Sequence, residues 1–172
     1  MKGQGIFMLD SIINELRQEA ITTKRVLERI PEEKLSWKPH QRSMSLGQLS
    51  LHVASIPGNV TRLAQLDAFD ASEANFAPPE ADSVRQILTI LDDSVNAAES
   101  YLSGLDDKAA TDTWRLTSRG EEVFSMPRIG MLRTIMLNHW YHHRGQLAVY
   151  LRLLEVPVPV IYGRSADENP FA

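Results

Sequence analysis

The stretch "LNHWYHHRGQL", residues 137–147, puts histidines at positions where an apolar helix would carry aliphatic side chains. It belongs to a segment whose apolar pattern recurs at steps of three or four: Leu132, Met136, His139, His143, Leu147, Tyr150 and Leu154. This spacing is typical of one face of an amphipathic helix. On such a helix His139 and His143 differ by only about 40° around the axis, and their Cβ atoms are roughly 5–6 Å apart. The sequence therefore predicts a long helix with two imidazoles on its core-facing side.

Three earlier segments carry the same helical period, and start and stop signals give their bounds. The predicted helices run from about residue 6 to 30, 45 to 66, 83 to 104 and 127 to 154. Ser45 is the N-cap of the second helix, and Gln48 completes a capping box with it. Pro57 predicts a kink in that helix because its missing N–H breaks one backbone hydrogen bond.

The segments between the last two helices and after the fourth helix have other patterns. Alternating side chains on both sides of Arg119 and Gly120 predict a small hairpin before the last helix. The prolines of "EVPVPVIYGRSADENPFA" predict an extended tail. Helices with one apolar face each bury those faces by packing together. We therefore predict an all-α four-helix bundle that forms a single domain over residues 1–172.

Composition narrows the class of protein. The net charge of −4, with both signs interspersed, argues against nucleic-acid binding, which uses basic surfaces. The chain has no cysteine, which excludes disulfides and thiolate metal ligands. No stretch approaches the roughly 20 apolar residues that a membrane-spanning helix needs, and no signal-peptide pattern precedes the first helix. We expect a cytoplasmic protein that binds neither membranes nor nucleic acid.

A third histidine occupies a core position of the second helix. His52 stands on the apolar face that also carries Leu49, Ile56 and Leu63. An unpaired buried polar group costs about 1–3 kcal/mol, so core-facing imidazoles need partners. One divalent metal ion would satisfy His52, His139 and His143 together and would keep an open position for water or substrate. The alternative is that these histidines are hydrogen-bonded within the core without a metal.

Two stretches of the chain resemble the DinB-like superfamily. They are "KLSWKPHQRSMSLGQLSLHVASIP", residues 34–57, and "LNHWYHHRGQLAVYLRLLEVPVPVIYGRSADE", residues 137–168. The resemblance implies a bundle of up-down-down-up course, with a metal held by His52, His139 and His143. It implies nickel or zinc as the metal and a homodimer as the assembly. Relatives include S-transferases that use bacillithiol or mycothiol, so the resemblance also implies a low-molecular-weight thiol as co-substrate.

Three functions remain open from the sequence. A metal with an open position lowers the pKa of a bound thiol or water, and the thiolate is the reactive form. This favours transfer of an external thiol to an electrophilic small molecule. The alternatives are a metal-dependent hydrolase and a non-enzymatic metal-binding or small-molecule-binding protein of the stress response. The sequence identifies no catalytic base.

Residues next to the predicted ligands have two candidate roles. Arg144 is predicted either to pair with Asp167 or Glu168 in the tail or to bind a substrate carboxylate. Tyr162 and Arg164 are candidates for the mouth of a pocket or for simple contacts of the tail. His142 and Gln146 are candidates for support of the metal ligands; the alternatives are a surface position for His142 and a capping role for Gln146. Gly145, in mid-helix, predicts close approach of another segment. Leu51, Val53 and Leu153 are candidates for a dimer interface or for packing within the chain.

Overall fold

The computed structural model describes the backbone of residues 4–75 and 79–171, and the side chains of residues 8–75 and 79–171. The α-helices of these ranges are α1 (Gln4–Leu27), α2 (Leu46–Ala64), α3 (Val84–Gly104), α4 (Asp107–Thr111), α5 (Arg128–Met131) and α6 (His139–Leu153). A π-helical segment, Leu132–Asn138, joins α5 to α6. The strands are β1 (Ala68–Asp70), β2 (Thr113–Ser118) and β3 (Glu121–Pro127).

The long helices begin where local capping chemistry predicts. The Ser45 hydroxyl accepts a hydrogen bond from the Gln48 backbone N–H, and the Gln48 side chain accepts one from the Ser45 N–H. Ser83 accepts from the backbone N–H of Gln86 at the start of α3. Both caps satisfy backbone donors that have no partner within the helix. The first helix ends three residues earlier than predicted and the second ends two residues earlier.

Hydrogen bonds and ion pairs between the four long helices fix their directions. These contacts are Arg17–Glu99 and Lys24–Asp92 between α1 and α3, Gly58–Ser94 and Ala64–Tyr101 between α2 and α3, Met44–Tyr150 and Val53–Trp140 at the α2–α6 junction, and Glu15–Tyr141 and Thr23–Arg144 between α1 and α6. Thus α1 and α6 run one way and α2 and α3 run the other. The predicted up-down-down-up bundle is confirmed.

The last helix departs from the regular α-helix predicted over residues 127–154. It begins as α5, widens into the π-helical segment, and returns to α-helix at His139. Leu132, Met136 and Leu137 of the π-helical segment are fully buried. π-Helical turns are rare and are frequent at functional sites, and here the segment leads directly into the first of the paired histidines.

A small sheet accompanies the bundle. The predicted hairpin is confirmed as β2 and β3, which pair antiparallel, and its turn residues Arg119 and Gly120 both have positive φ angles. This is the backbone that two-residue hairpin turns favour. Strand β1 pairs parallel to β2 and was not predicted, because its three residues are too few to show alternation.

Of the three residues considered for a dimer interface, one lies at the surface of the bundle. Leu51 and Val53 are buried within the chain, whereas Leu153 is exposed. For the first two, packing within the chain is therefore the correct alternative, and a place in a dimer interface is wrong. Within the described residues, no helix is both long and apolar enough to cross a membrane.

Candidate metal centre and adjoining cavity

Two antiparallel helices bring the three predicted ligands together. His52 lies near the middle of α2, His139 is the first residue of α6, and His143 follows one turn later. The register between the helices is fixed beside the histidines, where the Trp140 indole Nε1 donates to the Val53 carbonyl at 2.8 Å. Pro57 lacks the N–H that would otherwise bond this carbonyl within α2. The indole therefore takes the place of the missing helix bond.

The imidazoles present their Nε2 atoms to one another. Nε2 of His139 lies 2.8 Å from Nε2 of His143 and 3.4 Å from Nε2 of His52. Each of the three residues offers one ligand atom, and these atoms all lie within 4.8 Å of one another. Among the described residues this is the group of His, Cys, Asp or Glu side chains that could hold a metal ion.

Gln146 fixes the orientation of one ring. Its Oε1 lies 2.7 Å from Nδ1 of His143. An amide oxygen only accepts hydrogen bonds, so Nδ1 carries the proton and Nε2 carries the lone pair. Metal-binding histidines are commonly held in this way by a hydrogen bond to the other ring nitrogen. The contact is one that a supporting role for Gln146 requires, and that role stays a prediction.

His139 differs from His143 because its second ring nitrogen, Nδ1, has no hydrogen-bond partner among the described residues. This nitrogen is also buried. The nearby Ile135 backbone raises the pKa of His139, against the effect of burial, but it is not in hydrogen-bonding geometry with Nδ1. A buried nitrogen without a partner is costly, which argues that this ring is retained for what Nε2 does.

All three rings are held neutral. Burial lowers the pKa of His52 to about 4, with further contributions from His143 and His139. Burial is also the largest cause that lowers the pKa values of His139 and His143. Neutral imidazole is the form that binds metal ions. Three nitrogen donors on rigid helices suit zinc or nickel, so the residues present fit the predicted metal.

A cavity of about 890 Å³ adjoins the cluster and is lined by His52 and His139. Most of its wall is apolar, with Leu63, Phe69, Trp114, Leu116 and Ile135 among the lining side chains. Its polar lining includes Ser55, Asn59 and Arg62, which follow His52 along one face of α2. Apolar cavities with a few placed polar groups are typical of small-molecule sites.

Arg144 lies on another side of α6 from this cavity. Its side chain is 1% exposed and forms an ion pair with Glu19 at 2.5 Å. It also donates to the Thr23 hydroxyl and to the Tyr162 hydroxyl. The predicted pairing of Arg144 with the tail carboxylates is wrong, because those carboxylates pair with other arginines. The observed pairs are Arg152–Asp167 and Arg29–Glu168.

The remaining candidates around the ligands lie at the surface. Tyr162, Arg164 and His142 are exposed and are not among the described residues that line the cavity. The ring of His142 does contact that of His143, with centroids 4.9 Å apart. A substrate role for Tyr162 or Arg164 stays a prediction. The close approach predicted at Gly145 is wrong, since no described atom lies within 4 Å of a Cβ built there.

Sequence reasoning missed two charged residues that join distant parts of the bundle. Glu19 balances the buried charge of Arg144, and Arg128, itself buried, donates to the Ala64 carbonyl at the end of α2. No local pattern signals either contact, because each joins residues far apart in the chain. The polar face of α2 is different: Ser55, Asn59 and Arg62 stand three, seven and ten positions after His52, so helical spacing alone places them on its side.

Comparison with known proteins agrees with this architecture. The model of the DinB family matches residues 6–169. The uncharacterized protein YrdA of Bacillus subtilis (strain 168) is 26% identical over 162 residues, covering 93% of this chain and 91% of that protein. A DinB-like protein from Bacillus cereus ATCC 10987 superposes with a TM-score of 0.68 at 24% identity, covering 89% of this chain and 97% of that one. The DinB-like protein YjoA from Bacillus subtilis gives a TM-score of 0.67 at 19% identity, over 90% and 99% of the two chains.

Proposed function

This chain belongs to the DinB family, and on that premise we propose that it is a metal-dependent enzyme which transfers a low-molecular-weight thiol to an electrophilic small molecule. The proposal has one principal support. Three neutral imidazoles direct their Nε2 atoms at one another at the edge of an apolar cavity. Within the described residues no fourth side chain joins the group, which favours a site that keeps a position open for substrate.

The cofactor we propose is zinc or nickel, held by His52, His139 and His143. A divalent ion there would supply thiolate or hydroxide at neutral pH by lowering the pKa of a bound thiol or water. The chain's own residues hold and shape the site. Gln146 fixes the His143 ring, and the apolar wall of the cavity offers a surface on which the electrophile can pack.

The thiol must come from outside, because the chain has no cysteine. Bacillithiol and mycothiol are the proposed co-substrates, and the electrophile is an epoxide, a halide or an activated alkene. In the transfer a sulfur–carbon bond forms. The electron pair of the breaking bond goes to the epoxide oxygen, the halide or the neighbouring alkene carbon. The thiol proton passes to solvent, and an alkoxide or carbanion formed in the step takes up a proton.

Metal content is the first test. Elemental analysis of the purified protein should give close to one zinc or nickel per chain. His52→Ala and His139→Ala should lose it, whereas the control His40→Ala, at an exposed histidine of the segment before α2, should keep it. Equal and negligible metal in all four proteins would refute the metal site.

The reaction is tested on the metal-loaded protein. Bacillithiol, mycothiol and glutathione are each supplied with an epoxide and an aryl halide, and product is measured with His40→Ala as the active control. Turnover with a thiol that is lost in His139→Ala supports transfer. Ester or amide hydrolysis without thiol turnover would instead support the hydrolase. Metal binding with neither reaction would support a binding protein.

We also propose that the chain forms a homodimer through the outer face of α6. Val149 and Leu153 are 57% and 56% exposed and lie one turn apart, and Gly145, one turn before them, is exposed as well. Large aliphatic side chains grouped on one helix face are typical of an interface. Sedimentation should give twice the chain mass for the native protein and the chain mass for Val149→Lys. A native monomer would refute the dimer.

A further inference from the structure

We propose that the cavity beside the metal centre takes an amphipathic monoanion, a substrate with an apolar body and a carboxylate that binds Arg62. This inference rests on the proposed function, because it places the electrophilic end of that substrate at His52 and His139. The cavity, the charge of Arg62 and the arrangement along α2 support it independently of the reaction.

The polar lining of α2 forms a line from the histidines to the arginine. Ser55, Asn59 and Arg62 all line the cavity, as His52 does. Ten residues separate His52 from Arg62, which corresponds to about 15 Å along the helix axis. A ligand that touches both ends must therefore be elongated, and the hydroxyl and amide between them offer hydrogen bonds along its length.

The opposite wall selects an apolar body. Phe69 and Leu116 come from the sheet and Ile135 from the π-helical segment, and Trp114, which also lines the cavity, is 1% exposed. Its indole N–H is already used, since it donates to the Leu63 carbonyl at 3.2 Å. This wall therefore offers apolar surface to a ligand, and burying such surface contributes about 25 cal/mol per Å².

Arg62 supplies the charge. Its guanidinium makes no ion pair or hydrogen bond with residues in 8–75 or 79–171. Arg128 is a contrast, because backbone carbonyls and Asp67 use its donors. The N–H donors of the Arg62 guanidinium can bind both oxygens of a carboxylate, which matches it in charge and in geometry.

The other end of the cavity has the opposite sign. Glu80 lines it and accepts a hydrogen bond from the Ser45 hydroxyl, at the start of α2. An anionic ligand is repelled from that end and attracted to Arg62. The two charges thus orient the substrate, with its carboxylate toward the end of α2 and its body across the histidines.

Calorimetric titration with a matched acid and alcohol tests the proposal. Decanoate and decanol share one apolar chain and differ in the charged group. In the native protein decanoate should bind about 10-fold more tightly than decanol, as a charge-assisted hydrogen bond implies. Arg62→Gln should remove that preference and leave decanol affinity unchanged, and Arg62→Lys should keep most of it. Arg85→Gln, an exposed arginine of α3 outside the cavity lining, is the control.

Three results would each overturn the carboxylate assignment. The first is equal affinity for acid and alcohol in the native protein, and the second is an equal loss of decanoate affinity in Arg62→Gln and Arg85→Gln. The third is no binding of octanoate, decanoate or dodecanoate. Binding is measured without turnover, so failure of thiol transfer does not alter the outcome. Conversely, thiol-transfer activity in the native protein, together with a decanoate affinity that is unchanged in Arg62→Gln, would support the proposed function and refute this substrate class.

Discussion

The Trp140 indole N–H donates a hydrogen bond to the Val53 carbonyl, 2.8 Å away and in the interior. Pro57 sits four residues after Val53, so α2 itself provides no donor for that carbonyl. Both partners are chain neighbours of metal-ligand candidates, Val53 of His52 and Trp140 of His139. The proline therefore creates an acceptor on α2, and the indole uses it to set the register in which the imidazoles meet.

We predict that Trp140→Phe lowers the free energy of unfolding by about 1–3 kcal/mol for the buried carbonyl left unpaired, with an added loss from the smaller ring. The cost should be smaller in a Pro57→Ala background, because alanine restores the helix donor to Val53. Urea denaturation of the four proteins of this double-mutant cycle measures the difference. An identical cost in both backgrounds would show that the proline and the indole are not coupled.

Gln146→Leu should weaken metal binding about 10-fold to 100-fold, the range found when the partner of a ligating histidine is removed. Gln146 is exposed, so the fold should be unaffected. Competition with a chromophoric chelator gives the affinity, and Gln18→Leu, at an exposed position of α1, is the matched control. Unchanged affinity in Gln146→Leu would show that the hydrogen bond to His143 does not support the site.

The buried ion pair between Arg144 and Glu19 predicts an effect on stability rather than on metal binding. Removing one partner of a buried pair costs about 3–5 kcal/mol, because the other charge remains buried alone. Arg144→Met should therefore lower the denaturation midpoint strongly, and the double variant Arg144→Met/Glu19→Leu should recover much of the loss. A stable Arg144→Met protein with an altered substrate affinity would instead support the carboxylate-binding role.

Asp70 predicts a pH dependence of stability. Its carboxylate accepts from the Ser72 hydroxyl and from the backbone N–H groups of Gly120, Ser72 and Arg119, and these hydrogen bonds hold its pKa well below its ordinary value. A carboxylate with a lowered folded-state pKa contributes stability that is present above the unfolded-state pKa and is lost as the pH falls through the folded-state pKa.

Thermal unfolding of the native protein and of Asp70→Asn should therefore differ most near neutral pH. The difference should narrow as the pH falls from about 4 to about 2, because the unfolded carboxylate takes up a proton in this range while the native carboxylate stays ionised. Asp93→Asn, at an exposed position of α3, is the control. A constant gap between native and Asp70→Asn over this range would contradict the assignment.

Local chemistry explains which features the sequence predicts correctly. The caps at Ser45 and Ser83 are made by residues three positions away, so neighbouring residues specify where α2 and α3 begin. The helical period puts His139 and His143 on one face whatever the rest of the chain does. The same period aligns Ser55, Asn59 and Arg62 with His52, although it does not indicate a cavity.

Other features depend on packing between distant segments. The α2–α6 register brings His52 to the histidine pair, and it depends on Trp140 reaching Val53, 87 positions away in the chain. Arg144 pairs with Glu19 of α1 because those helices meet, while Arg152 and Arg29 bind the tail carboxylates.

The long helices, their caps and the faces that carry the histidines follow from the sequence alone, because each of these depends on hydrogen bonds and side-chain spacing within a few residues. Packing of the folded chain sets which faces meet, which charges are buried together and what lines the cavity. Those outcomes depend on contacts between segments that are far apart in the chain, and no local pattern encodes the choice of partner.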